Sequence, residues 1–176
     1  MNFDDSTRLS VTPAQLFEVL IHRMHELVPM LPNVVSTKRI SVEEQGPGVL
    51  LVVRHWQGSA KQVPKLLRPF ISQKSLAWTD YSIWDSNDYT CAWRIENIHS
   101  SYQTCFGKNL FTADPANPDG SYARLVGEFT VHGDRIPKVP RFLGRKIAPR
   151  AEKTVVGHSI ENFSEMVLGA ARLVAG

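Results

Sequence analysis

The sequence predicts an α+β fold in which a seven-stranded antiparallel sheet wraps around a long C-terminal helix. Three observations carry this. Val156, Ile160, Phe163, Val167, Ala170 and Val174 recur at alternating steps of four and three, so they line one face of a helix. Between residues 34 and 132, apolar and polar residues alternate in stretches parted by turn-forming clusters, the mark of strands with one dry and one wet face. A short strand and a helix precede these stretches.

In chain order, a polar strand near Ser6 to Val11 meets Thr12-Pro13, where Thr12 suits a helix cap and Pro13 the first helical position. Phe17, Leu20, Met24, Leu27 and Leu31 then form one apolar stripe, closed by Pro29 and Pro32. Strands over 34–44 and 49–58 flank the turn Gly46-Pro47-Gly48. Further strands follow near 75–84, 89–97 and 102–113, and Asp119-Gly120 opens a last one over 121–132. Tyr89, Cys91, Trp93 and Ile95 form a dry face, as do Ala123, Leu125, Phe129 and Val131. Arg94, Glu96, Arg124 and Glu128 fall on the wet side, where cross-strand ion pairing is expected. Gly157 and Gly169 weaken the last helix by about 1 kcal/mol each relative to Ala, so packing against the sheet must hold it.

With 176 residues the chain suits a single domain over 1–176, and 43% hydrophobic with 21% charged residues matches a globular composition. The acidic N-terminus and the lack of a long apolar run argue against secretion and membrane insertion. Two cysteines, Cys91 and Cys105, fit a reducing, cytoplasmic setting rather than a disulfide framework or a zinc site. They would face each other if the hairpin were symmetric about residue 98. His22, His25 and Glu18 fall on the wet side of the first helix and read as solvated, and the acids of Asp114 to Asp119 read as a turn rather than a calcium loop. No Gly-x-Ser-x-Gly elbow or phosphate-binding glycine loop occurs, so neither a cofactor nor a nucleic acid partner is expected.

Residues Val11-Thr12-Pro13-Ala14-Gln15-Leu16-Phe17-Glu18-Val19-Leu20, with the return Leu31-Pro32-Asn33-Val34-Val35-Ser36 and the order of elements, resemble the helix-grip (SRPBCC) superfamily. That superfamily includes START-like lipid-transfer domains, the birch-pollen-allergen type and polyketide cyclases. The resemblance implies a cavity between sheet and C-terminal helix that holds a hydrophobic small molecule, lipid-like or polycyclic. Trp93, Leu125, Phe129, Ile160, Phe163 and Val167 are the expected lining. No catalytic motif of a superfamily enzyme is matched.

Residues 59–74 are longer than a hairpin needs and form an amphipathic insertion between the third and fourth strands. Leu66, Leu67 and Phe70 fall on one side, Lys61, Lys65 and Arg68 on the other. Residues 133–153 hold seven Lys/Arg against two acids, with Arg141 and Arg145 among them. In a meander, alternate connections emerge at one end, so both basic segments are expected to frame the cavity mouth as a lid or a surface facing an anionic membrane. Three functions are open: carriage or sensing of a hydrophobic molecule, cyclase or aromatase catalysis in the same cavity, and a protein-interaction module with a filled core.

Overall fold

The computed structural model describes residues 1–60, 76–97, 101–137 and 139–176. Strand β1 (Asn2–Leu9) leads into helix α1 (Pro13–His22), the short helix α2 (Met24–Leu27) and a 3-10 turn over Val28–Met30. Strands β2 (Val34–Gly46), β3 (Val49–Gly58), β4 (Ala77–Asp85), β5 (Thr90–Glu96), β6 (Gln103–Asp114) and β7 (Asn117–Val131) follow, then helix α3 (Arg141–Ala175). The seven strands form one antiparallel sheet in the order β1-β7-β6-β5-β4-β3-β2, so β1 and β2 are its edges. The amphipathic insertion expected between β3 and β4 lies outside the described residues.

Thr12 caps α1 as its position implies. Its hydroxyl accepts the Gln15 amide at 3.3 Å and the Gln15 side chain accepts the Thr12 amide at 2.9 Å, a reciprocal capping box. The stripe Phe17, Leu20, Met24, Leu27 and Leu31 is buried, but the helix breaks at Arg23 instead of running on to the prolines. Arg23 leaves helical geometry, with a ψ of 18°, and binds the Glu26 carboxylate, so two short helices share one apolar face.

Helix α3 begins earlier than its apolar stripe. At 1.5 Å per residue its 35 residues span about 52 Å, and Pro149 lies within them. Val156, Phe163, Val167 and Ala170 are buried against the sheet and the first helices. Gly169 meets the Met30 sulfur, where a methyl group would come within 2.7 Å. Strand β7 starts at Asn117, four residues before the expected 121, because the turn falls at Pro115-Ala116. There the Asp114 carboxylate accepts the Ala116 amide at 2.9 Å and binds the Arg8 guanidinium. Along the edge strand β2 the register shifts three times, after Val34, Arg39 and Glu44.

Candidate functional site

Helices α1 and α3 pack on one face of the sheet, and the register identifies the residues beneath them. Directly opposed residues share a face. The inner face therefore carries Leu50, Val52, Arg54 and Trp56 on β3, Trp78, Asp80, Ser82 and Trp84 on β4, and Cys91, Trp93 and Ile95 on β5. It continues through Cys105, Gly107, Asn109 and Phe111 on β6 to Ala123, Leu125, Gly127 and Phe129 on β7.

This face is packed unevenly. Under α1 it is filled: the Phe17 ring stands edge-on to Trp84, Tyr89 and Phe111 at 5.2–5.3 Å, and Val52, Trp84, Cys91 and Phe111 are buried. Toward the other end, Trp78, Asp80, Trp93, Ile95 and Cys105 also point inward yet are only half-buried, and in the α3 stripe Ile160 is half-buried, as is Val174 near the C-terminus. These inward-facing side chains are covered less completely than those under α1. Their chemistry is aromatic. Trp56 and Trp78 stack nearly parallel at 6.3 Å, and Trp93 stacks on Phe3 at 6.4 Å. The last pair lies over two opposed glycines: a methyl at Gly107 would come within 2.5 Å of the Trp93 ring, and one at Gly127 within 2.6 Å of Phe3. Only glycine leaves room for these rings to lie on the sheet.

Three polar groups cross this aromatic floor. Arg54 is buried, and one of its terminal amino groups donates to the Leu20 and Ile21 carbonyls at 3.1 and 2.7 Å. It thereby satisfies oxygens at the C-terminal end of α1 that the helix leaves unpaired. Ser82 donates to the Val52 carbonyl or Asp80 and accepts the Trp84 indole N–H at 3.1 Å. Asp80, directly across from Arg54, accepts from Ser82 and from the Trp56 indole. It is enclosed by protein yet retains accessible surface. Burial pushes its carboxyl up to about 6, against the opposing pull of Arg54 and the two hydrogen bonds. The same burial raises the Cys105 thiol to about 12 and lifts Cys91 well above its ordinary value, so both stay neutral thiols.

The raised Asp80 value fixes the sign of a pH effect. The folded protein binds this proton more tightly than the unfolded chain does. The stabilisation is therefore whole below the ordinary value of 3.8, declines as pH rises and is gone above about 6. The two-unit shift corresponds to about 2 kcal/mol once discounted for the solvent-open share of the side chain. Asp80→Asn should remove this dependence. Urea unfolding at pH 4 and pH 7 should show the variant gaining about 2 kcal/mol relative to the native chain across that interval, and an unchanged difference would refute the assignment.

The residues expected to line a cavity divide in two. Trp93 and Ile160 are half-buried, whereas Leu125, Phe129, Phe163 and Val167 are each at most 5% exposed. Among the residues expected at the mouth, Lys61, Lys65, Leu66, Leu67, Arg68 and Phe70 lie outside the described residues. Arg141 and Arg145 are exposed on the first turns of α3. His22 and His25 are exposed, with His22 3.9 Å from Glu18. Arg94, Glu96 and Arg124 lie on the outer face, but the expected pairing is corrected: Arg94 pairs with Glu96 of its own strand and covers the Tyr81 ring, while Arg124 reaches Asp4 of β1. The cysteine pairing is corrected too. Hairpin β5–β6 is centred on residue 100 rather than 98, which sets Cys91 opposite Asn109 and Cys105 opposite Ile95.

Arg54, Asp80, Trp56 and Trp78 were not among the expected site residues. Their signal is phase: Leu50, Val52, Arg54, Trp56 and Trp78, Asp80, Ser82, Trp84 each place a charge in step with large apolar residues. A charge on the dry phase of two neighbouring strands marks a buried polar pair.

No family model and no curated protein matches the chain. Solved structures do match along the whole chain. The TTHA0849 protein of Thermus thermophilus is 14% identical with a TM-score of 0.66, covering 100% of this chain and 99% of its own. The Zhui aromatase/cyclase of a Streptomyces species is 15% identical with a TM-score of 0.65, covering 99% and 95%. A START superfamily protein of Mycobacterium smegmatis is 10% identical with a TM-score of 0.59, covering 98% of each chain. At such identities the likeness is one of fold. The open seven-stranded sheet, the helices on its inner face and the long C-terminal helix give this chain the helix-grip fold that these structures share.

Proposed function

We propose that the chain binds a hydrophobic small molecule, lipid-like or polycyclic, between the inner sheet face and α3, as a carrier or sensor. The observation that carries this reading is the half-buried state of Trp78, Trp93, Ile95, Cys105 and Ile160, which all face inward. Desolvation supplies the affinity: each 100 Å² of apolar ligand surface removed from water contributes about 2.5 kcal/mol before ordering costs. Native mass spectrometry of protein purified from its own host tests it directly, a retained apolar ligand being the expected result. Ile160→Trp fills the space from the roof. It should lower the affinity for an apolar fluorescent dye by more than about tenfold with little change in stability. Undiminished dye binding would place the ligand elsewhere.

Asp80 favours a second reading, a cyclase or aromatase-like enzyme in the same cavity. A carboxyl near 6 beside an aromatic floor is matched to proton transfer near neutral pH. Turnover of a poly-β-ketone chain that Asp80→Asn abolishes would establish it, and retained turnover in that variant would exclude Asp80.

The first turns of α3 support a place of exchange with an anionic membrane. Phe142 is 74% exposed and Leu143 is 39% exposed. Phe142, Arg145, Lys146, Arg150 and Lys153 fall on one side of the helix and all are exposed, while Gly144 and Ala148 are buried on the other. An exposed aromatic ring among cations is the pattern of a segment that inserts at a lipid surface. Each cation near such a surface contributes about 1 kcal/mol, within a Debye length of about 8 Å. Replacing Arg141, Arg145, Lys146 and Arg150 with Gln should abolish flotation with phosphatidylglycerol vesicles, and Phe142→Ser should weaken it. Equal flotation of the native and charge-depleted proteins would eliminate membrane contact.

A further inference from the structure

We propose that Asp80 is the recognition group of the cavity and that the ligand is a planar aromatic molecule carrying a basic nitrogen, docked on this carboxylate among the tryptophans. The inference rests on the cavity reading and deepens it by naming the ligand's chemistry.

The assignment follows from which polar groups remain unused. The Trp84 indole N–H is spent on Ser82, the Trp93 N–H on Asn109 at 2.9 Å, and the Trp56 N–H on Asp80. Arg54, Ser82 and Asn109 are buried, and their bonds go to α1, Val52, Asp80 and the indoles. Among these inward-facing groups, Asp80 alone combines strong hydrogen-bonding capacity with accessible surface. A carboxylate with four lone-pair sites that accepts two bonds can accept more. A half-buried carboxylate with unused acceptor sites complements a ligand that donates.

The surroundings select a charged donor over a hydroxyl. Among the described residues, no cation lies within ion-pair distance of Asp80. The guanidinium opposite is anchored to the Leu20 and Ile21 carbonyls at the negative end of α1. Among the described residues, the titratable groups facing Asp80 are Arg54 from β3 and the neutral thiols of Cys91 and Cys105 from β5 and β6. The core stripe of α3, Val156, Ile160, Phe163 and Val167, presents none. Burial holds the carboxyl up to about 6 because no full counter-charge touches it, and an ammonium group would supply one. Indole faces attract the same cation through their π electrons, and the flat rings of Trp78 and Trp93 match a planar ligand body.

The test uses the full chain and three matched probes: naphthylmethylamine, naphthylmethanol and naphthoate, with binding read by tryptophan quenching and calorimetry. At pH 7.5 the amine should bind on the order of tenfold more tightly than the alcohol, the return from a charge-assisted hydrogen bond, and the naphthoate least. The advantage should shrink toward pH 5 as Asp80 takes up its proton, and binding at pH 6 should release protons. Asp80→Asn should equalise amine and alcohol. An alcohol that binds as well as the amine at pH 7.5, or an amine preference that survives in Asp80→Asn, overturns the inference and leaves the cavity intact. If none of the three binds, the cavity reading falls with it. The pH dependence in the native chain needs no variant, so a folding defect in Asp80→Asn leaves the test decisive.

Discussion

Replacing Arg54 with Leu should cost about 3–5 kcal/mol of stability, since it removes a buried, hydrogen-bonded charge from the end of α1 and from opposite Asp80. Arg54 is 2% exposed, so water cannot take over its bonds. Two consequences add. The Leu20 and Ile21 carbonyls lose their donor at the point where α1 ends, and the α1–α2 break is left without its tie to the sheet. Asp80 loses its nearest cation, and its carboxyl should rise further, extending the pH range over which the protein prefers the protonated form. The double variant Arg54→Leu with Asp80→Asn separates the two. It should recover the part due to the stranded carboxylate and retain the part due to α1. A loss under about 1 kcal/mol for the single variant would mean that the pair is solvated and that the floor of the cavity is wetter than its geometry indicates.

Phe163→Ala should cost a similar amount, about 3–5 kcal/mol, because this large side chain of the α3 stripe is only 4% exposed. Trp93→Ala removes a larger ring and should cost less, since the indole is only half-buried. This inversion of cost against size separates wall from lining. An apolar ligand added in excess should raise the melting temperature of the Trp93 variant less than that of the native chain, while the rise in Phe163→Ala should match the native one. Equal losses from both substitutions would show that Trp93 is packed as tightly as Phe163.

Much of this fold was legible because its signals are periodic. The stripe from Val156 to Val174 fixes a helix and the face it buries. Alternation in residues 121–131 fixes a strand with Leu125 and Phe129 inward, and Thr12 with Gln15 fixes the start of α1. What escaped depends on geometry between segments. The break at Arg23 leaves the apolar stripe unchanged, since both short helices present it to the same core. The β5–β6 register moved the cysteines apart because hairpin symmetry is set by the turn and not by the alternation, which is satisfied at any even shift. The early start of α3 was hidden by Pro149, a residue that ordinarily ends a helix, and by a cationic face with no apolar period. The site was legible only in part. Trp93 and Ile160 follow from phase, but Asp80 gains its meaning from Arg54 across the sheet and from Trp56, neighbours that only the pairing of β3 with β4 supplies.

The three register shifts along β2 bear on how this molecule behaves in a crowded solution. The sheet is open, and β2 offers a 13-residue edge with Val35, Ile40 and Val42 each more than two-fifths exposed. A long, regular, apolar edge is a template on which a second copy could add strands without limit. Each shift interrupts the even spacing of amide and carbonyl groups that such templating requires, and Lys38 and Arg39 interpose charge between the apolar residues. The irregular edge thus lets the sheet remain unclosed without recruiting its own kind along its rim.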